Sequence, residues 1–546
     1  MPVASVNSRV ARLLAGLTAS AILLCGQANT TQKPGSVEGV TINSVTSEPI
    51  RKAAVTLSNL QGKPVYSATT DAAGKFRIEN IEPGLYQPMV VRDGYQFPEQ
   101  PGRHGRIRPV AVGDDQQVTG VSFQLMPLAV VGGHVLDEDG DPIANVRVMA
   151  MAFNYNPYGE KQIYPVGSAI SNDLGEFEII NLQPGRYYFR AAPQRKWGNL
   201  PANTKRMTPE LDYAVTYYPN AKQLGQASST QIAPGALLTN MDFRLQEAPV
   251  FHIRGKAVSE DGKPIGRAPM FFTAAGEMSF GGPLARIQRD GSFELTGVAS
   301  GTYLFFGRSA GDQGERLTAS QSIVVGDQDV NNVIVVFKKP LDVVPKFEGT
   351  CGTGHANQVS LQSIGQATDG FMGRNNATAA LSVSPGIYRI VMNPTAGSYL
   401  KSIRYGDQDV SPGRIDLTSA ASGGMLTVTC ADDPGEVQGT VTKEDGTSAI
   451  EASVTVVPGD DFRDRRDLFY QLSTGDTGKF DYRDIAPGDY KVYAWEDGEP
   501  MAHVPEFRKA FDSKAASVHI DSGGHVSMDL KLITAAEIAA EKEKLR

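Results

Sequence analysis

Five times along the chain a strand-like run breaks into the same tight turn and restarts on a tyrosine: Ile81-Glu82-Pro83-Gly84-Leu85-Tyr86, Leu182-Gln183-Pro184-Gly185-Arg186-Tyr187, Val298-Ala299-Ser300-Gly301-Thr302-Tyr303, Val383-Ser384-Pro385-Gly386-Ile387-Tyr388 and Ile485-Ala486-Pro487-Gly488-Asp489-Tyr490. Proline fixes φ at the first corner of a turn and glycine takes the positive φ that other residues resist, so Pro-Gly predicts a type II turn. The turn glycines fall at 84, 185, 301, 386 and 488, separations of 101, 116, 85 and 102 residues. Each is the length of one sandwich domain rather than of a solenoid repeat. A tandem array of one small β-unit is therefore expected.

Upstream of the turns stand Gly74-Lys75-Phe76-Arg77-Ile78, Gly175-Glu176-Phe177-Glu178-Ile179, Gly291-Ser292-Phe293-Glu294-Leu295 and Gly478-Lys479-Phe480-Asp481-Tyr482. Apolar and polar residues alternate with the period of a half-buried strand. After the turn the tyrosine leads another alternating run, as in Tyr490-Lys491-Val492-Tyr493-Ala494-Trp495. The two runs read as a hairpin. The second, third and fifth units also open on a glycine-led strand and an Asp-Gly turn, as in Gly133-His134-Val135-Leu136-Asp137-Glu138-Asp139-Gly140 and Gly255 to Gly262, read as a second hairpin, while the first has Gly39-Val40-Thr41-Ile42 with Pro49 in the turn region. The fourth unit departs: Phe347-Glu348-Gly349-Thr350-Cys351 lacks the Asp-Gly turn, and Thr378 stands where the others have Phe.

Taken together, G-x-V, E-D-G-x-P, D-x-x-G-x-F and P-G-x-Y resemble the carboxypeptidase regulatory-like domain, a transthyretin-like sandwich related to the collagen-adhesin B-type repeat. The resemblance implies an all-β chain, a tandem array of five Ig-like or transthyretin-like β-sandwich domains with a short C-terminal helix. The expected units are 35–128, 129–247 with aromatic insertions, 248–338, 339–433 (degenerate) and 434–534, followed by a helical tail at 535–546. Linkers of only a few residues would join them like beads and restrict swinging. The larger arrangement also resembles bacterial exported proteins, which implies an envelope or secreted role.

Export is legible separately. Arg9 and Arg12 precede an apolar run from Leu13 to Leu24, and Gly26-Gln27-Ala28 offers small residues for cleavage after Ala28. A signal peptide at 1–28, a linker at 29–34 and a mature N-terminus at Asn29 are expected. A lipoprotein tethered through Cys25 is the alternative, against which Leu24 stands where that motif wants a small residue. No other stretch approaches membrane-spanning length. A formal net charge of -8, with no basic arm, argues against nucleic acid as partner. Removing Cys25 leaves Cys351 and Cys430, both in the fourth unit. A disulfide between them would be worth about 4 kcal/mol by loop closure; two buried thiols are the alternative.

Catalytic signals are weak. Asp137, Asp139 and Asp141 suggest a calcium loop, but Pro142 and Val148 stand where an EF-hand needs Gly and Glu, so an acidic turn is expected. His503-Val504-Pro505-Glu506, with His519 and His525 downstream, has the spacing of zinc carboxypeptidases yet reads as a solvated loop. The run Asp460 to Asp467 mixes signs and reads as an exposed connection. There is no G-x-S-x-G, H-E-x-x-H or P-loop, and no cofactor is expected. The best ligand-binding candidates are Tyr155, Tyr158, Trp197, Tyr217 and Tyr218 in the second unit, rings beside amides of the sort that sugars and peptides use. The competing reading packs them inside the protein. A non-catalytic binding, adhesion or scaffold protein follows, contacting a glycan, a peptide or another envelope protein. The alternatives are a purely structural spacer and accessory domains of a metallocarboxypeptidase-like enzyme system.

Overall fold

Alternation in sequence becomes alternation in burial. Along the strand Lys75–Ile81, Phe76, Ile78 and Ile81 are buried while Lys75, Arg77, Glu79 and Asn80 face water, as period-2 side-chain geometry requires. Glu176–Leu182 repeats the pattern. The computed structural model describes residues 33–59, 65–97, 109–193, 210–266, 268–274, 284–310, 316–353, 359–364, 380–496 and 501–545. The expected signal peptide at 1–28, with Cys25, and Trp197 lie outside them.

The described residues are nearly all β, and their hydrophobic clusters succeed one another along the chain. One runs from Val37 to Leu125, the next from Ala129 to Leu245, then Ile253 to Phe337, then Val343 to Cys430. The last sequence segment carries two, one enclosed by its seven-stranded sheet and one around Trp495, Phe507 and Ile538. In the first segment two four-stranded sheets face each other. One has the order Lys75–Ile81, Gly35–Asn43, Gln117–Pro127, Tyr95–Gln96; the other Val65–Thr69, Ala54–Asn59, Gly84–Val91, Val110–Val112. The opening strand is antiparallel to the phenylalanine strand and parallel to the closing one. That relation recurs at Glu247–Ser259, Leu341–Gly349 and Gly435–Thr442.

The Pro-Gly turns are not hairpins. Lys75–Ile81 and Gly84–Val91 belong to different sheets, so the turn is an arch that carries the chain across the sandwich. A hairpin would leave both aromatic-bearing strands in one sheet; the arch sets Phe76 and Tyr86 on facing sheets of a common core. Nor do Gly84, Gly185 and Gly386 adopt positive φ. The left-handed residue sits four positions earlier, at Asn80, Asn181, Gly297 and Asp484, with φ of 58°, 61°, 68° and 65°. At each a β-bulge breaks the register with the opening strand. Asn, Asp and Gly tolerate that conformation best, and the bulge bends the strand toward the other sheet. The tyrosine then closes the arch. Tyr86, Tyr187, Tyr303, Tyr388 and Tyr490 each donate to the carbonyl four residues back, at 2.7, 2.7, 2.9, 2.6 and 2.8 Å, which is a tyrosine corner.

The Asp-Gly turns likewise return by single bridges, Leu136 to Pro142, Val258 to Pro264 and Thr442 to Ser448, before the chain crosses to the other sheet. Asp137 is the acidic turn expected: its Oδ1 accepts the amides of Asp139 and Asp141. Positive φ is required at Gly74, Gly175, Gly291 and Gly478, where three of the four would place a Cβ 2.6 Å from a neighbouring carbonyl oxygen. In the fourth segment the opening strand pairs with Leu381–Val383 without the bulge seen elsewhere, and Cys351, in the turn just after that strand, is bonded to Cys430 of the closing strand, Cα atoms 5.0 Å apart. The tail helix, Ala535–Leu545, starts on a capping box in which Thr534 and Glu537 satisfy each other's amides.

Tyr490→Phe keeps the ring but strands the buried Ala486 carbonyl, so the urea unfolding free energy is expected to fall by about 1–3 kcal/mol; an unchanged midpoint would show that the corner adds nothing. Replacing Cys351 and Cys430 together by serine opens a loop of sequence separation 79. A calorimetric loss of about 2–4 kcal/mol is expected, and equal stability would refute it.

Candidate functional site

The hairpin between Val146–Tyr155 and Lys161–Ile170 carries the first aromatic insertion. Its tip is set by Asn156, whose Oδ1 accepts the amides of Tyr158 and Glu160 and whose Nδ2 donates to Glu160 Oε2, an Asx turn. The tip throws Tyr158 and Glu160 out of the second unit and into the fourth. The Tyr158 hydroxyl donates to Gln362 Oε1 at 2.7 Å, and the Arg389 guanidinium lies 4.0 Å above its ring. Arg389 also donates to Glu160 and, through Nε at 2.6 Å, to Asp464 Oδ1 of the fifth unit. Asp464 Oδ2 accepts Arg414 Nε at 3.0 Å. The side chains of Arg389 and Asp464 are only 4% and 7% exposed, so this is a buried ion cluster joining three units. Burial raises the Tyr158 pKa, opposed by the charges of Arg389 and Arg466.

The run Asp460 to Asp467, expected to be an exposed connection, is exposed from Asp460 to Arg463, but from Asp464 onward it turns inward as a wedge between the fourth and fifth units. Arg465, buried, binds both oxygens of Asp467 at 2.8 and 2.7 Å and donates to the carbonyls of Ser411 and Leu400 at 2.8 and 2.9 Å. Its five-donor fork suits such a site. Arg466 packs over the Phe469 ring at 4.9 Å. Its Nη1 is buried without a hydrogen-bond partner, and desolvation lowers its pKa.

The second and fifth units also touch directly. His503 Nε2 donates to the Asn156 carbonyl at 2.8 Å, Lys161 Nζ donates to the Leu545 carbonyl at 2.9 Å, and a Cβ on Gly159 would come within 2.8 Å of the His503 oxygen. Tyr155 packs against the cluster of Tyr493, Trp495, Phe507 and Phe511. Five units strung like beads are therefore not what forms: the second folds back on the fourth and fifth. His503 is a contact between units rather than a solvated loop residue. His519 and His525 face Asp489 and Glu436 instead. Among the described residues no His, Cys, Asp and Glu gather as a metal site.

The remaining aromatics go elsewhere. Tyr217 is buried on a short strand paired with Arg190 of Gly185–Pro193. Tyr218 packs on the second core, its ring 5.8 Å from Phe243. The five candidate residues are thus not brought to one face, as far as the described ones go. The second insertion contributes a strand, Glu210–Tyr213, that pairs with the opening strand of the third unit. There Glu210 Oε2 meets Nε2 of the buried His252 at 2.7 Å.

A cleft of about 760 Å³ lies on the outer sheet face of the fifth unit, beneath the helix Pro505–Lys509. Several of its ionisable groups pair within it, while Glu506 and Lys509 also line it. Asp512 accepts from Lys491 and Tyr493 at 2.8 and 2.9 Å, and these bonds outweigh burial to lower its pKa. Arg508 holds Asp460 at 2.8 Å. His519 bonds Asp489 at 2.7 Å, which raises its pKa. Its other ring nitrogen faces Asp521 at 3.5 Å, and no hydrogen bond among the described residues joins it to Ser517, which lines the same cleft. No activated nucleophile results.

Arg389→Met would leave Glu160 without its cationic partner and Asp464 with Arg414 alone, and an unfolding loss of about 1–3 kcal/mol is expected. Adding Glu160→Gln and Asp464→Asn to that variant should recover part of it. An unchanged unfolding midpoint for Arg389→Met would sink the cluster's role.

Residues 36–126 match the family model of the carboxypeptidase regulatory-like domain. No curated protein matches the chain. Among solved structures it is similar to a streptococcal ancillary pilin, at 15% identity over 56% of this chain and 99% of that one, TM-score 0.20. It is also similar to the full-length major pilin SpaD from Corynebacterium diphtheriae, at 11% over 56% and 98%, TM-score 0.17. The major pilin subunit BcpA of Bacillus cereus stands at 11% over 56% and 99%, TM-score 0.17. Identity at this level speaks to fold alone, and TM-scores this low say nothing of how units are arranged. With its positive-φ Gly74, its arch and its Tyr86 corner, the first unit is similar to a carboxypeptidase regulatory-like domain, and the chain around it is a repeat β-sandwich protein.

Proposed function

We propose that this is a non-catalytic, exported protein of scaffold or adhesion type, in which five sandwich units in series are held as one body. The observation that carries the reading is the buried pair of Arg389 and Asp464, joined by Glu160 and Arg414 at its edges, which commits the projecting loop of one unit to two others. A spacer of independent beads has no use for such a device; a part that must present its surfaces at fixed relative positions does. Charges paired within the fifth-unit cleft support a non-catalytic role. The Cys351–Cys430 bond supports an oxidising compartment. No helix of the described residues is long and apolar enough to cross a membrane.

Glycan or peptide recognition by the second unit is the other reading. Its support is compositional, the concentration of Tyr155, Tyr158, Trp197, Tyr217 and Tyr218 in one unit. Weighing against it, Tyr158 and Tyr217 are buried.

Fractionation of producing cells is the test of export. Protein outside the cytoplasm is expected to begin at Asn29 and to give linked Cys351 and Cys430 peptides in a non-reduced digest; cytoplasmic retention with both thiols alkylated would overturn the reading. A pull-down on cell-wall glycan, wild type beside Tyr155→Ala/Trp197→Ala, separates the two readings. Scaffold predicts no retention of either, and glycan recognition predicts retention lost in the variant.

A further inference from the structure

A second set of titratable groups gathers away from the Arg389 cluster, where the second unit meets the third. The strand Glu210–Tyr213 leaves the second unit and pairs antiparallel with the start of Glu247–Ser259, Glu210 opposite Val250 and Tyr213 opposite Glu247. Little apolar surface holds it there. Leu211 is 49% exposed, and Tyr213 packs on the second unit's own cluster.

Just past this ladder stands His252, 4% exposed, with a carboxylate at each ring nitrogen. Glu210 Oε2 lies 2.7 Å from Nε2, and Glu294 Oε1 lies 3.0 Å from Nδ1. An acceptor at both nitrogens asks for a donor at both, and only the imidazolium carries two N–H groups. The other charged groups beside the ring are engaged with each other. Asp329 accepts the His252 amide at 2.9 Å, and Arg254 donates to Glu294 and to Asp329, at 2.8 Å each. Burial acts to raise the Asp329 pKa, yet the His252 amide and Arg254 bring it below the usual carboxylate range. Among the described residues, Glu210, Glu294 and Asp329 thus face two cations, Arg254 and protonated His252, and it is the ring that Glu210 meets.

We propose that Glu210–Tyr213 is a pH-sensitive latch between the second and third units, closed while His252 is protonated. When His252 gives its proton to solvent, one ring nitrogen turns a lone pair toward a carboxylate oxygen at hydrogen-bond distance, and the three carboxylates are left facing Arg254. Glu294 cannot leave, since it sits in the ladder opposite Arg254 and keeps that guanidinium whichever tautomer forms. Glu210 stands at the end of a short strand from another unit, so the strain is relieved by that strand moving off. Docking is therefore favoured where the imidazolium prevails and weakens as pH rises, within the range of about pH 5 to 8 in which histidine charge responds. Opening frees the backbone groups of Glu247 to Val250, a sheet edge able to receive another strand.

Hydrogen exchange of the full chain, read by mass spectrometry at about pH 5.5 and about pH 8 and divided by the intrinsic rate at each pH, tests it. Protection of the peptide covering Glu210–Tyr213 is expected to be roughly tenfold lower at the higher pH, the loss of one charged hydrogen bond, while the peptide covering Ser292–Ala299 keeps its protection. His252→Gln supplies a donor that cannot titrate, and Glu210→Gln removes the carboxylate; each should make protection at 210–213 independent of pH. Should His252→Gln fail to fold, Glu210→Gln, at the partly exposed end of the pair, carries the same reading. His519→Gln, at an exposed ring of the fifth unit, should keep the wild-type response. Equal wild-type protection at both pH values, a parallel loss in Ser292–Ala299, or a wild-type response persisting in Glu210→Gln overturns the proposal.

Discussion

The fold depends on how the chain gets from one sheet to the other. An arch between sheets is a poor place for backbone polar groups, since it belongs to neither hydrogen-bond ladder and yet lies against the core. The tyrosine solves both halves of the problem. Its ring fills the core, as Tyr86 does with no exposure at all, and its hydroxyl takes the carbonyl before the proline, as with Glu82 at 2.7 Å. Phenylalanine could do the first and not the second. The bulge at Asn80 or its equivalent prepares the same crossing by bending the strand before it arrives.

Within units the adhesive is apolar; between the second, fourth and fifth it is largely ionic. The difference follows from what each surface must do before it is buried. A sandwich core is never wet in the folded chain, so alternating Val, Ile and Phe suffice. A junction formed only after units have folded must stay soluble until then, and charged side chains meet that need at the cost of desolvation later. Such buried pairs add little net stability but penalise wrong partners heavily. Arg389 illustrates it: stacked on Tyr158 and bound to Glu160 and Asp464, it has one arrangement in which all its neighbours are satisfied.

The strands, the repeat, the tail helix and the Cys351–Cys430 bond were legible in the sequence because each rests on local chemistry: period-2 alternation, turn residues, a tail of strong helix formers, two cysteines in one unit. The arch was misread as a hairpin because Pro-Gly reports a change of direction and not which sheet receives the chain. Its true signal was there, in Asn80, Asn181, Gly297 and Asp484 at a constant four residues before the turn glycine. The junction was hidden for another reason. Asp460 to Asp467 has the composition of a solvated loop, and complementary charges buried against a distant unit look the same in one dimension. Asn156 did carry a hint, since it repeats the Asx turn that Asp71 and Asn172 use to position the strands after them.

The fourth unit shows why degeneracy and position go together. It has lost the Asp-Gly turn after its opening strand and the bulge that precedes the tyrosine corner in the others, devices that steady a unit from within. It is also the unit that receives the others: Gln362 takes Tyr158, Arg389 takes Glu160 and Asp464, Ser384 takes the Thr318 hydroxyl of the third unit at 2.8 Å, and the carbonyls of Leu400 and Ser411 take Arg465. Its disulfide ties opening strand to closing strand with both sulfurs in the core, a constraint that needs no turn chemistry. A unit stapled covalently and braced on three sides can depart from the repeat where an isolated one could not. Its departures, Arg389 on the outer face above all, are what the neighbouring units bind.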